Sequence, residues 1–363
     1  MIRTFQSVGQ GAFYTEEFSG FNVIYDCGTD TGGIKSINKE ISTVFNKNES
    51  IDIVFVSHFH RDHINGLQHL LSHCKVKFIV LPLLCDYQRI EVFFETYKLN
   101  SQFVNDLILD PENAINQVSS GTKVIFVKPF DGILKDPMIE YIESTSSHVL
   151  ESGVRIRSKN IDKWEYIPFN FVDTNRRQLL KEKLESSSIN IGSVDDFKRA
   201  WRNSNKKKNL IKAYKSITPN LNLSTMTIYS GPLEDDCYRG RTCSDKPLVE
   251  LLYPFFEPVN VGCLYLGDYE AKDKSKWDSL EQAYKGIWDK IGTIQIPHHG
   301  SKENYNELLN SNPYIYSVIT AGIDNKHRHP HSYTTAKIIE NKGILRQVTE
   351  SPSSRLHFII EKI

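Results

Sequence analysis

The stretch Ser57-His58-Phe59-His60-Arg61-Asp62-His63, set directly behind the apolar run Ile53-Val54-Phe55-Val56, constrains this chain more than any other feature. Three imidazoles and one carboxylate fall within six positions. The apolar run predicts a buried strand, and a loop at its C-terminal end can turn all four side chains toward one point. Imidazole nitrogen suits zinc, manganese, iron and nickel, and the carboxylate adds a harder oxygen that stabilises a second divalent ion close by. A solvated His-rich turn is the competing reading. Four adjacent ligand-type residues at a strand end weigh against it.

The 363 residues suffice for one large or two ordinary domains and for a substantial core. Hydrophobic residues at 39 % and charged residues at 24 % are ordinary for a soluble chain. The formal net charge is zero, so no global field marks nucleic acid or membrane as the partner, and local charge must decide. No apolar run approaches the roughly 18 to 20 residues that span a bilayer. The opening Met1-Ile2-Arg3-Thr4-Phe5-Gln6 reads as a strand rather than a secretory leader. The expectation is a cytoplasmic protein without membrane contact. Six cysteines, at 27, 74, 85, 237, 243 and 263, show no Cys-x-x-Cys spacing, which favours reduced, mostly buried thiols. Cys237 and Cys243 could bridge or bind metal, but a polar loop around Pro232 and Gly240 is the simpler account.

Strand-like and helical patterns alternate along the chain. Residues 2–8, 12–15 and 21–25 read as strands, 34–46 as a helix, 52–56 as a buried strand, 62–73 as a helix and 76–81 as a strand. The helix after the His motif would place Ile64, Leu67, Leu70 and Leu71 on one face. Later strands are expected over 123–127, 164–172, 223–229, 261–266, 293–296, 315–320 and 355–360. This is an α/β pattern in one domain over 1–363, with two additions. Residues 84–118 read as a helical extension with Ile90, Val92, Phe93, Phe94 and Tyr97 as an apolar cluster. Residues 174–216 read as a basic helical insertion. From Arg176 to Lys215 there are twelve Lys or Arg against four Asp or Glu. That excess can bind phosphate backbones through Lys206, Lys207 and Lys208, with Trp201 and Tyr214 available for stacking. A solvated helical face accounts for it equally well.

Three later elements carry further chemistry. Leu264-Tyr265-Leu266-Gly267-Asp268 is a strand ending in a carboxylate, and one such carboxylate can bridge two metals. Ile294-Gln295-Ile296-Pro297-His298-His299-Gly300 is a strand ending in two imidazoles. Successive residues leave a strand end in opposite directions, so one is expected to bind metal, His298 by preference and His299 as the alternate. His327-Arg328-His329-Pro330-His331 offers groups that hold or protonate an oxyanion. Asp26 is expected to orient a ligand imidazole from behind.

The motif His58-x-His60-x-Asp62-His63 after a buried strand resembles the metallo-β-lactamase fold hydrolases. The resemblance implies an αββα sandwich with helical insertions and two divalent metal ions, zinc or manganese. It implies His58 and His60 on the first metal, Asp62 and His63 on the second, and a bridging role for Asp268. Val8-Gly9-Gln10-Gly11, Ile24-Tyr25-Asp26-Cys27-Gly28, Leu266-Gly267-Asp268, Pro297-His298-His299-Gly300-Ser301 and His329-Pro330 together look like the hydrolase domain of ComEC-type DNA-uptake proteins. The fold usually supplies a His on the strand before the bridging Asp, where this chain has Asn220-Leu221-Asn222-Leu223-Ser224. Either that metal has a depleted shell, or a distant His such as His148 completes it, or only the second metal binds tightly. The function these residues and this resemblance imply is metal-assisted phosphodiester hydrolysis of DNA or RNA. Asp62 and one of His299, His329 and His331 would act in catalysis, the imidazole as proton donor. A phosphodiesterase of cyclic or small nucleotides is the nearest alternative. A non-catalytic module that binds nucleic acid or a protein partner around a structural metal is another, and an activating partner protein is compatible with either.

Overall fold

The structure is a computed structural model and describes residues 1–99, 101–136, 138–172, 181–185, 191–215, 224–234, 238–244 and 260–362. Among these, nine strands form one sheet and eight a second. The first sheet begins as a meander of β1 (Ile2–Phe5), β2 (Gly11–Phe18) and β3 (Phe21–Thr29). It continues in parallel through β4 (Ser50–Phe55), β5 (Lys75–Pro82), β6 (Lys123–Val127) and the short strand Val149–Leu150, with Leu356–Lys362 and Tyr238–Ser244 on its other edge. The second sheet pairs Trp164–Val172 antiparallel with Ser224–Pro232, and the latter with Gly262–Tyr265. From there Ile291–Gln295, Tyr316–Thr320 and Ile344–Val348 run parallel.

Alternation along the strands explains the layering, because successive side chains point to opposite faces. Phe5, Tyr14, Tyr25 and Phe55 from the first sheet meet Tyr166, Met226, Tyr265 and Val318 from the second in one buried cluster. The outer face of the first sheet, with Ile24, Val54 and Ile79, is covered by helices α1 (Gly33–Val44) and α3 (Leu67–His73). The outer face of the second is covered by the helix Lys274–Ala283 through Trp277 and Leu280. The result is the expected α/β sandwich of two sheets between helical layers. A fully buried ion pair sits between the sheets. Arg3 Nε meets Glu16 Oε1 at 2.7 Å, and Glu16 also accepts from Tyr166, Ser230 and Tyr265.

Several details differ from the pattern reading. The helix expected over 62–73 is two helices, α2 (Arg61–Ile64) and α3, with a break at Asn65 and Gly66. Those two residues tie the chain back to β3. Asn65 Oδ1 accepts from Thr29 N at 3.0 Å, its Nδ2 donates to Thr29 O at 2.7 Å, and Gly66 N donates to Cys27 O at 2.9 Å. The strands Ile139–Tyr141, Arg155–Arg157, Tyr238–Ser244 and Ile344–Val348 lie outside the sequence expectation; each carries charged side chains and lies at or next to a sheet edge, the composition that sheet margins favour. Cys237 lies outside the described residues, as does the side chain of Cys243. Asn220 to Leu223 are also outside them.

The stretch over 84–118 forms α4 (Asp86–Thr96), α5 (Gln102–Leu109) and α6 (Pro111–Val118). The helices Val194–Arg202 and Ser204–Lys215 pack on α4 through aromatic rings. Phe93 meets Trp201 at 4.9 Å between ring centres and Phe197 at 5.2 Å, and Phe94 stacks on Tyr214 at 4.7 Å. Trp201 and Tyr214 are half-buried, each with part of its ring packed on α4, because the apolar faces of these short helices cover one another.

Candidate metal centre

The strand ends of both sheets converge on one point. Ser57 to His60 follow β4, and the chain enters α2 at Arg61, so His58 and His63 are buried while His60 and Asp62 reach the surface in part. Two close approaches make this possible. Gly28 lies against the motif: an added Cβ would stand 2.6 Å from the backbone carbon of Asp62. Gly267 has φ of +54°, and its Cβ would stand 2.8 Å from that of Ser57. With no side chain at either place, Asp268 is delivered directly beside His58 and His63.

Hydrogen bonds fix which nitrogen of each ring faces inward. Asp26, fully buried, accepts from Ser57 N at 2.7 Å and Ser57 Oγ at 2.6 Å. It also accepts from His63 Nδ1 at 2.7 Å. Since the Ser57 hydroxyl hydrogen goes to Asp26, its oxygen accepts from His58 Nδ1 at 2.8 Å. His299 Nδ1 donates to Thr320 O at 2.8 Å, and His298 Nδ1 donates to Asn304 Oδ1 at 2.9 Å. Asn304 is oriented for this by its Nδ2, which donates to Asp268 O. In the neutral form of all four rings, Nδ1 carries the hydrogen and Nε2 the lone pair.

Each of those Nε2 atoms faces a carboxylate oxygen, which is also an acceptor. His58 Nε2 is 3.6 Å from Asp268 Oδ2 and His63 Nε2 is 3.2 Å from Asp268 Oδ1. His299 Nε2 is 3.1 Å from Asp62 Oδ2, and His298 Nε2 is 3.7 Å from Asp268 Oδ2. His58 Nε2, His63 Nε2 and Asp268 Oδ1 are buried without any hydrogen-bond partner. Acceptors facing acceptors in a buried site need a positive charge between them. The residues fit divalent cations for that reason. Two ligand groups emerge, His58 with His63 and Asp268, and Asp62 with His63 and His299.

The electrostatics agree. Burial, with His63 beside it, holds His58 well below the usual imidazole range, so the ring is ready to ligate. Burial also acts to lower His63, but Asp268, Asp62 and Asp26 together hold it well above that range. Burial would raise Asp268, yet His298, His63 and His58 keep it well below the carboxylate range. Without metal, a proton stands in for the cation.

The structure brings together His58, Asp62, His63 and Asp268 as expected from sequence. It joins them to His299 rather than grouping them with His298, whose Nε2 nevertheless approaches Asp268. The strand ends at Gln295, and beyond Pro297 both His residues take left-handed backbone angles, φ of 48° and 55°, so both Nε2 atoms stand beside carboxylates of the site. His60 stands beside His58, ring centres 4.6 Å apart, but its Nε2 turns to Glu95 Oε2 at 3.6 Å. His148 is exposed and precedes the strand Val149–Leu150, which runs parallel to β6. It lies at the edge of the first sheet, three strands across from β4, and belongs to neither ligand group. His329 lies 5.4 Å from His298 between ring centres, and its Nδ1 is buried without a partner. Burial and the neighbouring imidazoles push it down to about 3. His331 abuts the turn through N to Gly300 O, but its Nδ1 accepts from Tyr333 N and caps the helix Ser332–Glu340. Lys206 and Lys208 are exposed on the helix Ser204–Lys215, and Lys207 lies over Trp201 at 4.3 Å. None of the three lines the cavities beside the His cluster. Reading the sequence missed Ser57, Asn304 and Glu95. Glu91 and Glu95, four apart on an otherwise apolar helix face, were the available signal for the last.

Residues 14–122 match the model of the metallo-beta-lactamase superfamily. No curated protein matches the chain. Among solved structures, human tRNase Z, short form, aligns at 9 % identity over 96 % of this chain and 92 % of its own, with a TM-score of 0.41. YhfI from Bacillus subtilis, a metallo-beta-lactamase fold protein, aligns at 8 % identity over 100 % and 99 %, with a TM-score of 0.40. Zinc-bound PqqB from Methylobacterium extorquens aligns at 8 % over 98 % and 88 %, with a TM-score of 0.35. The matched stretch holds β2 to β5 and the whole His motif, and with its two sheets between helical layers the chain has the metallo-beta-lactamase fold.

Proposed function

We propose that the protein is a metal-dependent phosphodiester hydrolase with a dinuclear centre, and that its substrate is DNA or RNA. One observation supports the reaction class: Asp62 and Asp268 stand 3.8 and 3.2 Å from the same His63 Nε2, so cations held by the two carboxylates would be neighbours, with His63 ligating one of them. Two adjacent divalent ions, zinc or manganese, would supply Lewis acidity for activating water and for neutralising charge at phosphorus. The chain's own residues do the rest. Asp26 and Ser57 fix the rings of His58 and His63, and Thr320 fixes His299. Asp62 and Asp268 supply the negative charge that holds the cations. His329, beside His298 and His299, is placed to hydrogen-bond a phosphoryl or leaving oxygen.

The nucleic-acid reading is supported by the order of motifs shared with ComEC-type hydrolase domains and by the exposed basic helix carrying Lys206 and Lys208. The free thiols Cys27, Cys74, Cys85 and Cys263 suit a reducing cytoplasm. Among the described residues no helix is long and apolar enough to cross a membrane. A small nucleotide diester is the second reading, favoured by a cavity of about 410 Å³ lined by Asp30, Arg61, Asn325, Lys326 and His327. That volume is typical of small-molecule sites.

The test is hydrolysis with manganese or zinc of linear and circular DNA, RNA, cyclic dinucleotides and bis-p-nitrophenyl phosphate, with Asp268→Ala as control. Polymer cleavage lost in the variant supports the nuclease, and cutting of circles makes it an endonuclease. Activity on small diesters alone moves the function to nucleotide turnover. Inactivity on every substrate, with metal bound, refutes hydrolysis by the isolated chain and leaves a binding module or an enzyme requiring a partner.

A further inference from the structure

His60 differs from the other rings of the cluster in which carboxylate its Nε2 meets. In His58, His63, His298 and His299 the Nδ1 atom is held by a serine, carboxylate, amide or carbonyl oxygen. In His60 the atom that faces a carboxylate from behind is Nε2, and the carboxylate is Glu95, 3.6 Å away. Glu95 comes from α4 in the helical layer, not from a strand end of the sandwich. Its side chain is only 3 % exposed, and Oε2 has no hydrogen-bond partner. A carboxylate oxygen buried without a donor is costly, so the arrangement calls for a donor or a cation at that position.

The surroundings say which. His60 and Glu95 line a narrow cavity of about 10 Å³ together with His58 and Ser224. The other oxygen of Glu95 accepts from Tyr214 OH at 3.3 Å, and Tyr214 is stacked on Phe94. Glu95 is thus clamped from the side of the helical layer and presents Oε2 to His60. Glu95, unlike Asp62 and Asp268, belongs to neither ligand group, so the donor its Oε2 calls for is His60 Nε2 carrying the hydrogen. Closing the gap by a few tenths of an ångström makes that a charge-assisted hydrogen bond. Nδ1 is then left with the lone pair, on a ring whose centre is 4.6 Å from that of His58.

Resting on the metal-centre reading above, we propose that Glu95 is a positioning residue of that centre: it holds Nε2–H of His60 and commits Nδ1 to the first metal ion. The helical layer thereby reaches the metal through the line Tyr214, Glu95, His60. This gives the aromatic packing of α4 on the basic helices a role in the site that packing alone does not require.

The experiment measures zinc stoichiometry and affinity by chelator competition, the visible spectrum of the cobalt-substituted protein, and metal-free melting, for wild type, Glu95→Gln and Glu95→Ala. Wild type binding two ions is the starting condition. A wild type that binds none overturns the metal-centre reading itself, and this inference with it. The expected result is that Glu95→Ala weakens one of the two ions about 10- to 100-fold and shifts the cobalt spectrum. Glu95→Gln, whose amide oxygen still accepts, falls between Ala and wild type. Unchanged affinity and spectrum with a lowered metal-free melting temperature make Glu95 a packing residue and overturn the proposal. Complete loss of one ion in both variants makes Glu95 a ligand and overturns the positioning role.

Discussion

Asp26 is never near enough to touch a substrate, yet it sets the ligand tautomers, and replacing it by Asn isolates that effect. The carboxylate accepts three hydrogen bonds of 2.6 to 2.7 Å from Ser57 and His63. Asn keeps one acceptor oxygen, so its amide NH₂ must face a donor on the other side. Placed where Oδ2 stood, it faces His63 Nδ1 and the Ser57 hydroxyl together: the ring moves its hydrogen to Nε2 and loses its lone pair toward the metal, and the hydroxyl turns its own hydrogen to His58 Nδ1. Placed where Oδ1 stood, it opposes the backbone N–H of Ser57 and that bond is lost. Charged partners of this kind are each worth about 1.5–3 kcal/mol. Loss of one corresponds to the roughly 10- to 100-fold fall in metal affinity seen when such supporting groups are removed. At about 1.4 kcal/mol per decade, that is about 1.4–2.8 kcal/mol. In the metal-free protein the change is smaller, because burial raises the Asp26 pKa and the neutral amide escapes that penalty. Chelator competition on Asp26→Asn reads the affinity, and urea unfolding in chelator reads the metal-free stability. Affinity within threefold of wild type, with stability falling by several kcal/mol, would refute the reasoning and make Asp26 a structural residue.

Glu16→Leu strands the buried guanidinium of Arg3, and about 3–5 kcal/mol of stability should be lost in urea unfolding. Arg3→Met and Glu16→Leu together should recover much of that, since no charge is then left buried. Gly28→Ala drives a methyl into the backbone of Asp62 and His63, where nothing flexible yields. It should cost about 1–3 kcal/mol and weaken zinc binding together, as read by calorimetry and chelator competition. Lys206→Ala, Lys207→Ala and Lys208→Ala combined should weaken DNA binding and flatten its salt dependence by up to about 2.7 in log–log slope, while leaving hydrolysis of bis-p-nitrophenyl phosphate unchanged. An unaltered slope would remove the basic helix from the interface.

The sequence by itself determined the parts of the site whose signal is local. His58, Asp62 and His63 sit within one turn-sized stretch behind an apolar strand, and Asp268 ends another, so neighbours in sequence sufficed to mark them. Alternation and helical spacing likewise marked the main strands and the buried face with Ile64, Leu67, Leu70 and Leu71. Tertiary structure decided what depends on long-range contact. The approach of both His298 and His299 to the site carboxylates depends on a left-handed turn after Pro297, and the orientation of His299 on the carbonyl of Thr320, over twenty residues away. The packing of Trp201 and Tyr214 depends on α4, which shares no local pattern with them and takes part of each ring. Glu95 is brought beside His60 only by the fold, since the two residues sit on different elements. A hydrogen-bond partner is defined by position in space, and chain order fixes that position only where a single element carries both members of the pair.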